Sequence, residues 1–404
     1  MNNRALAFIF CTATLDVLAL GIVVQVMPVL LLGFAAGNTS SAAEMLVLFA
    51  SVWGLMQFLS SPILGALSDR FGRRPVILLS CLGLSMDHVF MALAPTIELL
   101  LVGRVISGIT SATISTARAY VADVSAPEQR ARAFGFIGMS FGIGFVLGPA
   151  IGGFLGDVDP RLPFWVSAAA SLANAFFGWF VLPESLPPER RMAFSWKRAN
   201  PVGALRLLLS QRELPSLATI HFLITLVQQV LPAVFVLYTA HRYGWDGRTI
   251  GLTLVALGLG SALVQGVLVG PIVDRLGPRL TLIVGLLSGG VGMAIYALAP
   301  SGPWFWLGVP GLVLWGMSSP ALQQMMTRQV SASQQGQLQG ANNSLRSLSA
   351  LAGPAVFGGL FAWSLHPLPG APFLLAAFLL AVAVVVAWLL IARRSVTNSE
   401  VEAP

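Results

Sequence analysis

Two carboxylic acids, Asp16 and Asp87, lie inside long apolar segments and are the residues of this sequence best placed to do chemistry. Each lies about twelve residues into its segment, roughly 18 Å along a helix at about 1.5 Å per residue. An ionisable group near the middle of a membrane costs about 2.5–3.5 kcal/mol, so it needs a partner, a cavity or a neutral form. A carboxyl group removed from water favours its protonated form. Either acid could therefore exchange a proton for a cation, or simply hydrogen-bond to the next helix.

The composition indicates a membrane protein with many spans. Only 10% of the 404 residues are charged and 56% are hydrophobic, whereas roughly 25% of residues are charged in a typical soluble domain. The net charge of +7 comes from residues in short loops, not from a basic stripe or tail. Such a distribution sets membrane orientation and argues against a nucleic-acid partner.

Apolar segments of about 20 residues, separated by turn residues, predict an all-α membrane protein with twelve transmembrane helices. We expect an N-terminal six-helix bundle over 1–182, a linker loop over 183–213, and a C-terminal six-helix bundle with a short tail over 214–404. The predicted spans are 5–32, 44–67, 75–95, 97–121, 131–156, 162–182, 214–240, 247–273, 279–299, 303–327, 337–364 and 371–392.

Lysine and arginine are distributed unequally between the two sides of this topology. One side carries 17 of them in its loops and termini, and the other carries three. The positive-inside rule then places both termini and the linker in the cytoplasm.

A charged turn, GALSDRFGRR at Gly65–Arg74, reappears as GPIVDRLGPR at Gly270–Arg279. The offset of 205 residues indicates an internal duplication, as in transporters whose two halves move as bodies. A topogenic loop is the alternative. The second copy has Pro278 where the first has Arg73, so only the first keeps a full acid–base set. The predicted gating residues of the turns are Gly65, Asp69, Arg70, Gly72, Arg73, Asp274 and Arg275.

Span five contains a glycine-rich run, FGIGFVLGPAIGG. Small residues one turn apart let two helices touch closely, and a proline bends the helix. We expect this contact to lie between the two halves, where it would have to open during gating. The gating residues predicted here are Gly144, Gly148, Pro149 and Gly152.

The arginines predicted within spans cannot lose their charge. Arg104 and Arg346 need anionic partners, and Asp16 or Asp87 could serve Arg104, whereas Arg118 near the end of span four can extend toward the surface. His88 follows Asp87 but points about 100° away on a helix, so the two are not a dyad. Polar side chains at membrane depth could line a substrate pocket or hold helices together by hydrogen bonds. The residues predicted to bind substrate are Gln57, His88, Gln228, Gln229, Gln323, Asn342 and Arg346.

Both motifs resemble those of the major facilitator superfamily. GALSDRFGRRP resembles its loop between helices two and three, and GFVLGPAIGG resembles the helix-five motif of its twelve-helix drug/proton antiporter branch. Further segments, in order over nearly the whole chain, resemble the bacterial tetracycline/proton antiporters: LDVLALGIV, LSMDHVF, GRVISGIT, LPAVFVLYTAHRYGW, PALQQMMTRQV and QGQLQG.

The resemblance implies roles for particular residues. Asp69 and Arg73 would form a cytoplasmic latch, with Asp123 as the partner of Arg73. Asp16, Asp87 and Arg104 would be the intramembrane acids and arginine of proton coupling, and Gln57, Gln229 and Gln323 would be pocket residues. The sequence departs from the family at Gly289, where an aspartate is expected, and near Ser261, where a histidine is expected. Coupling is then expected to rest on Asp16 and Asp87.

Together these features predict a monomeric, proton-coupled efflux antiporter in a bacterial inner membrane, exporting amphipathic small molecules such as tetracycline-type drugs. No cofactor is expected; the proton gradient supplies the energy, and the substrate can carry a divalent cation. The alternative is a transporter of an anionic or zwitterionic metabolite or siderophore-like compound bound by Arg346. An enzyme is disfavoured because the sequence lacks H-E-x-x-H, a G-x-S-x-G on a strand–turn–helix, and a Cys/His cluster. A non-transporting receptor is disfavoured by the lack of a soluble domain.

Overall fold

The computed structural model describes residues 3–35, 39–197, 199–200, 206–245, 247–364 and 368–401. Within these ranges the regular structure is entirely helical. The predicted all-α membrane fold is confirmed.

In the described part of the chain, seven helices precede the linker. Six spans were predicted here, and the extra helix arises because span four is divided at Ser111 and Ala112. The helices are α1 (Asn3–Phe34), α2 (Thr39–Phe71), α3 (Arg73–Leu93), α4 (Ile97–Thr110), α5 (Thr113–Val124), α6 (Arg130–Val158) and α7 (Leu162–Val181).

The helices after the linker are more often interrupted. Two wide, π-type turns, Val264–Leu268 and Pro354–Gly358, lie between α-helical segments, and such turns commonly mark functional regions of membrane helices. The α-helices are α8 (Leu214–Val227), α9 (Val230–Tyr243), α10 (Gly247–Leu263), α11 (Val269–Leu298), α12 (Gly302–Trp306), α13 (Val309–Trp315), α14 (Ser318–Thr327), α15 (Gln335–Gly353), α16 (Gly359–Ser364) and α17 (Ala371–Val401).

One helical run, Thr249–Leu298, is 50 residues long, more than twice the roughly 20 residues that cross a bilayer. Gly277 divides it, because its φ of 76° is not helical. Gly72 has a φ of 103° and separates α2 from α3 in the same way. Both copies of the repeated turn therefore break the chain at a glycine in the left-handed region, which other residues rarely adopt.

The described residues contain ten apolar runs long enough to cross a membrane and the shorter apolar helix Ala7–Ile22. Since Gly277 makes two helices of the longest run, these segments correspond to the twelve predicted spans.

The chain forms two compact units. The first comprises Met1–Ala126, Ser140–Leu207 and Val330–Ser347; the second comprises Pro127–Met139, Leu208–Gln329 and Leu348–Pro404. The first unit thus takes in the beginning of α15, and the second takes in the beginning of α6. The predicted division into 1–182, 183–213 and 214–404 stays a prediction.

Each unit has its own packed interior. In the first, residues of α1, α2, α3, α4 and α7 form a buried cluster that includes Leu31, Phe49 and Phe164. In the second, the rings of Tyr296 and Phe305 stack with centroids 3.7 Å apart, and the Tyr238 hydroxyl donates to the Tyr296 carbonyl at 2.8 Å.

Candidate functional site

A cavity in the first unit brings together most of the charged residues predicted at membrane depth. Its empty volume, counting the space at its mouth, is about 790 Å³. It is lined by α1 to α6 and the beginning of α15, through Asp16, Trp53, Gln57, Leu84, His88, Arg104, Ser107, Ser111, Ile114, Ser115, Phe141, Asn343 and Arg346 among others.

The two predicted acids occupy different positions relative to this cavity. Asp16 lies on the wall, partly exposed, beside Thr113 of α5. Asp87 is completely buried, and its Oδ2 lies 3.3 Å from Nη2 of Arg104, which does line the cavity. The predicted pairing of Arg104 with a membrane carboxylate is confirmed. Asp87 is therefore linked to the cavity through Arg104.

His88 lines the cavity next to this pair. Among the described residues its Nδ1 has no hydrogen-bond partner, and neither has Oδ1 of Asp87. Buried polar atoms are seldom left unpaired without a functional reason.

Gln57 is held in place by two hydroxyl groups. Its Nε2 donates to Ser111 Oγ at 2.8 Å, and its Oε1 accepts from Ser347 Oγ at 3.0 Å. Ser111 directly follows α4, and its backbone is not helical (φ −73°, ψ 62°). Gln57 therefore presents a fixed amide to the cavity.

The other predicted pocket residues lie elsewhere. Gln228 is exposed, Gln229 donates through Nε2 to the Thr225 carbonyl at 3.4 Å, and Gln323 and Asn342 are buried. None of the four is among the described residues that line this cavity. Their assignment as substrate contacts stays a prediction.

The repeated turn places a buried arginine between two acids. Arg73 donates through Nη1 to Asp69 Oδ1 at 2.6 Å and through Nε to Asp123 Oδ2 at 2.9 Å, and its side chain is fully buried. We call Asp69, Arg73 and Asp123 the latch. The pairing implied by the resemblance is present in the structure.

The latch also holds the first turn of α15. Asp69 accepts from the backbone N–H groups of Gly336 and Gln337 at 2.8 and 2.7 Å. Free N–H groups and the positive end of the dipole make a helix N-terminus a favourable partner for a carboxylate. Gly65 packs against Gly336 so closely that a Cβ would meet the Gly336 carbonyl oxygen. The turn therefore needs both its acid and its glycine to receive α15.

Glu184 completes the turn and was missed by the sequence analysis. Its carboxylate accepts from the backbone N–H groups of Arg73 and Arg74 at 2.8 and 3.2 Å. The residue before α3, Gly72, has no side chain to cap that helix, and Glu184 supplies the acceptor from the linker. The only sequence signal was an isolated acid just after Pro183.

The second copy of the turn is built differently. Asp274 and Arg275 are exposed. Nη2 of Arg279 lies 3.6 Å from Oε1 of Glu213, and both of these side chains are partly exposed. The buried acid–base set is thus a property of the first copy. Arg70 of the first copy is exposed as well, over the ring of Phe71. The gating roles of Arg70, Asp274 and Arg275 stay predictions.

The glycine motif of α6 packs against α1. The atoms nearest to a Cβ at Gly144, Gly148 or Gly152 belong to residues 17–22 of α1. The expected contact between the two halves is therefore wrong: these glycines allow two helices of the N-terminal half to touch. The side chain of Pro149 lies outside the described residues.

We expect Gly148→Ala to lower the melting temperature of the purified protein. Its Cβ would lie 2.7 Å from the Gly21 Cα, so two backbones must separate, and overpacking of this kind costs about 1–3 kcal/mol. Gly153→Ala, in the same helix, is the matched control because no atom lies within 4 Å of its Cβ. Thermal unfolding in detergent measures both. Equal melting temperatures for the two variants would contradict the packing.

Gly289, where the resembled family has an aspartate, has no room for one. A Cβ there would lie 2.6 Å from Cγ of Trp315. The described structure thus concentrates its buried acids in the first unit, around the cavity and the latch.

Comparisons with known proteins agree with this geometry. Residues 9–354 and 217–403 match the family model described as Major Facilitator Superfamily. The tetracycline resistance protein, class C, of Escherichia coli is 38% identical over 94% of this chain and 95% of its own. The class G protein of Vibrio anguillarum is 38% identical over 86% and 88% of the two chains.

Among solved structures, the human organic anion transporter MFSD10 superposes with a TM-score of 0.86, covering 95% of this chain and 99% of its own at 23% identity. This likeness concerns the fold. The resemblance to the superfamily is confirmed by the family model and by the relatives. The chain belongs to the major facilitator superfamily and is a multi-pass membrane transporter of small molecules, not an enzyme.

Proposed function

We propose that this transporter is a proton-coupled antiporter that exports amphipathic small molecules by alternating access. The observation that carries the proposal is the cavity with Asp16 on its wall and the Arg104–Asp87 pair beside it.

Asp16 is the group that substrate and proton would compete for. Among the described residues it has no ion-pair partner, so its charge is available to a cationic group in the cavity. A proton arriving from outside neutralises Asp16 and releases that group. Loss of the proton to the cytoplasm restores the charge and the binding site.

Asp87 would couple the proton to the position of Arg104. While Asp87 is ionised, its pair with Arg104 is favourable; once Asp87 is protonated, the arginine is a buried cation without a counter-charge. Arg104 then favours an arrangement in which it finds another partner or water. Protonation is thereby converted into a movement of a side chain on the cavity wall.

The latch would close the cytoplasmic end. Breaking the contact of Asp69 with the first turn of α15 frees that helix from the turn, which is the movement that opening on that side requires. The supporting observation is that three buried charges and two backbone N–H groups converge there.

The walls of the cavity suit a molecule with apolar and polar parts. Trp53 and Phe141 offer flat apolar surface, and Gln57, Ser111 and Asn343 offer hydrogen bonds. Tetracycline-type drugs, with or without a divalent cation, are candidates, since the relatives are named for tetracycline resistance. We further propose a bacterial inner-membrane location, cytoplasmic termini, a monomer, no cofactor, and the proton gradient as the energy source.

Drug resistance of an efflux-deficient bacterial host tests export directly. Expression of the chain should raise the inhibitory concentration of at least one tetracycline or amphipathic dye, and should lower its accumulation in the cell. Asp16→Asn at equal expression should remove both effects. Unchanged resistance and accumulation across tetracyclines and amphipathic dyes would contradict the proposal.

A further inference from the structure

Two arginines of the first unit lie at or next to the cavity, and the proposed mechanism uses neither of them. Arg346 of α15 lies on the cavity wall, one turn after Asn343. Arg118 of α5 is one turn after Ile114 and Ser115, which are also on the wall. Arg346 therefore lies on the cavity wall, and Arg118 lies one helical turn from it along α5.

Among the described residues, neither Arg118 nor Arg346 has a carboxylate oxygen within 4 Å. The anionic partner expected for Arg346 from the sequence is not among the described residues. Both arginine side chains are partly exposed. An anionic group of a molecule in the cavity would supply a counter-charge to Arg346.

The guanidinium of Arg346 lies over an aromatic ring of the cavity wall. Its Cζ is 5.1 Å from the ring centroid of Phe141, on the face of that ring, a position that favours a cation. The planar guanidinium can donate two parallel hydrogen bonds to the two oxygens of a carboxylate. Phe141 itself lines the cavity. The arginine is thus arranged before any ligand arrives.

We propose that the transported molecule carries an anionic group, a carboxylate or an equivalent planar oxyanion, which binds Arg346 with support from Arg118. This proposal rests on the proposed function and specifies its substrate class. Arg104 is already paired with Asp87, so it is not the receptor for this group. Asp16 lies on the same cavity and would receive a cationic group of the same molecule. The preferred substrates are therefore zwitterionic amphipathic compounds.

Two dyes that differ only in this group provide the test. Rhodamine 110 has a free carboxylate, and rhodamine 123 is its methyl ester with the same aromatic body. Fluorescence anisotropy titration of each dye with the purified full-length protein gives two dissociation constants. We expect the carboxylate dye to bind about tenfold more tightly, the size of effect that one charge-assisted bidentate contact can supply.

The variants assign this preference to the arginines. Arg346→Gln should weaken binding of rhodamine 110 about tenfold and change rhodamine 123 by less than about twofold. Arg118→Gln should have the same selectivity with a smaller effect, and Arg346→Lys should retain part of the preference because it keeps the charge without the fork. Arg190→Gln is the control, since it removes the same charge from an exposed linker residue and should leave both constants unchanged.

Equal affinity of the wild type for the two dyes would overturn the proposal, and so would an equal loss for both dyes in an Arg346→Gln protein that melts like the wild type. Uptake of the dyes into proteoliposomes under an imposed proton gradient tests antiport separately from the anion site. Selective, Arg346-dependent binding without gradient-driven uptake would refute the antiport and support the anion site. Gradient-driven uptake of both dyes without preference would support the antiport and refute the anion site.

Discussion

Arg73→Ala is expected to destabilise the folded protein by about 3–5 kcal/mol, because it leaves two buried carboxylates without their counter-charge. The side chains of Asp69 and Asp123 are only 4% and 3% exposed, so water cannot replace the lost guanidinium. The contact of Asp69 with the first turn of α15 should weaken as well. Thermal and denaturant unfolding of the purified protein measure the effect.

Arg70→Ala is the matched control for this prediction. Arg70 belongs to the same turn and carries the same charge, but it is exposed over the ring of Phe71. Substitutions at such surface positions usually change stability by less than about 0.5 kcal/mol. Arg73→Lys should fall between the two, since one ammonium group is a point charge that cannot match two carboxylates as a guanidinium does. Equal stability of Arg73→Ala and Arg70→Ala would contradict the assigned role of the latch.

Asp87→Asn is expected to reduce gradient-driven transport to the background of empty liposomes. The amide has the shape of the acid but carries no exchangeable charge, so protonation can no longer switch the interaction with Arg104. Substrate exchange without a gradient should persist, because Asp16 and the cavity walls remain. Asp87→Glu should restore part of the gradient-driven transport. Transport by Asp87→Asn at the wild-type rate would contradict the role of this acid.

A loss of stability must be separated from a loss of coupling in this variant. Removing the charge of Asp87 leaves Arg104, whose side chain is 10% exposed, as an unpaired cation, and breaking a buried pair is itself destabilising. Asp16→Asn avoids this difficulty because no described residue forms an ion pair with Asp16. Asp16→Asn should therefore lose coupling while its melting temperature stays close to that of the wild type.

Much of the architecture could be predicted from the sequence because the membrane imposes simple rules. Apolar segments must be long enough to cross the bilayer, and this length alone located the twelve spans. The repeated turn could be located because glycine tolerates positive φ, and both Gly72 and Gly277 have it. The pairing of Arg104 with an acid followed from the cost of an isolated charge in the membrane.

Other features depend on contacts between distant parts of the chain. Asp69 accepts hydrogen bonds from the backbone N–H groups of Gly336 and Gln337, which lie 267 and 268 positions later in the chain. No local sequence pattern indicates such a contact. Glu184 caps α3 from the linker, and a single acid in a loop carries no periodic signal. The partners of the glycine motif could not be predicted either, since small residues indicate a close helix contact but not which helix makes it.

The rotation of each helix about its axis also escapes sequence reasoning. Gln228 and Gln229 are neighbours, yet the first is exposed and the second packs toward Thr225. Successive residues on a helix point about 100° apart. Packing against neighbouring helices decides which of them faces the interior, and the sequence alone does not show this.

Proton movement driven by substrate tests the central claim most directly. Proteoliposomes would be loaded with the drug that gives the largest resistance and with a pH-sensitive dye, then diluted into drug-free buffer of the same pH. An antiporter predicts that drug leaving the vesicle draws protons in, so the lumen acidifies, and that a protein with both Asp16→Asn and Asp87→Asn produces no acidification. Drug efflux by the wild type without any change in lumenal pH, or the same acidification by the double variant, would contradict the account.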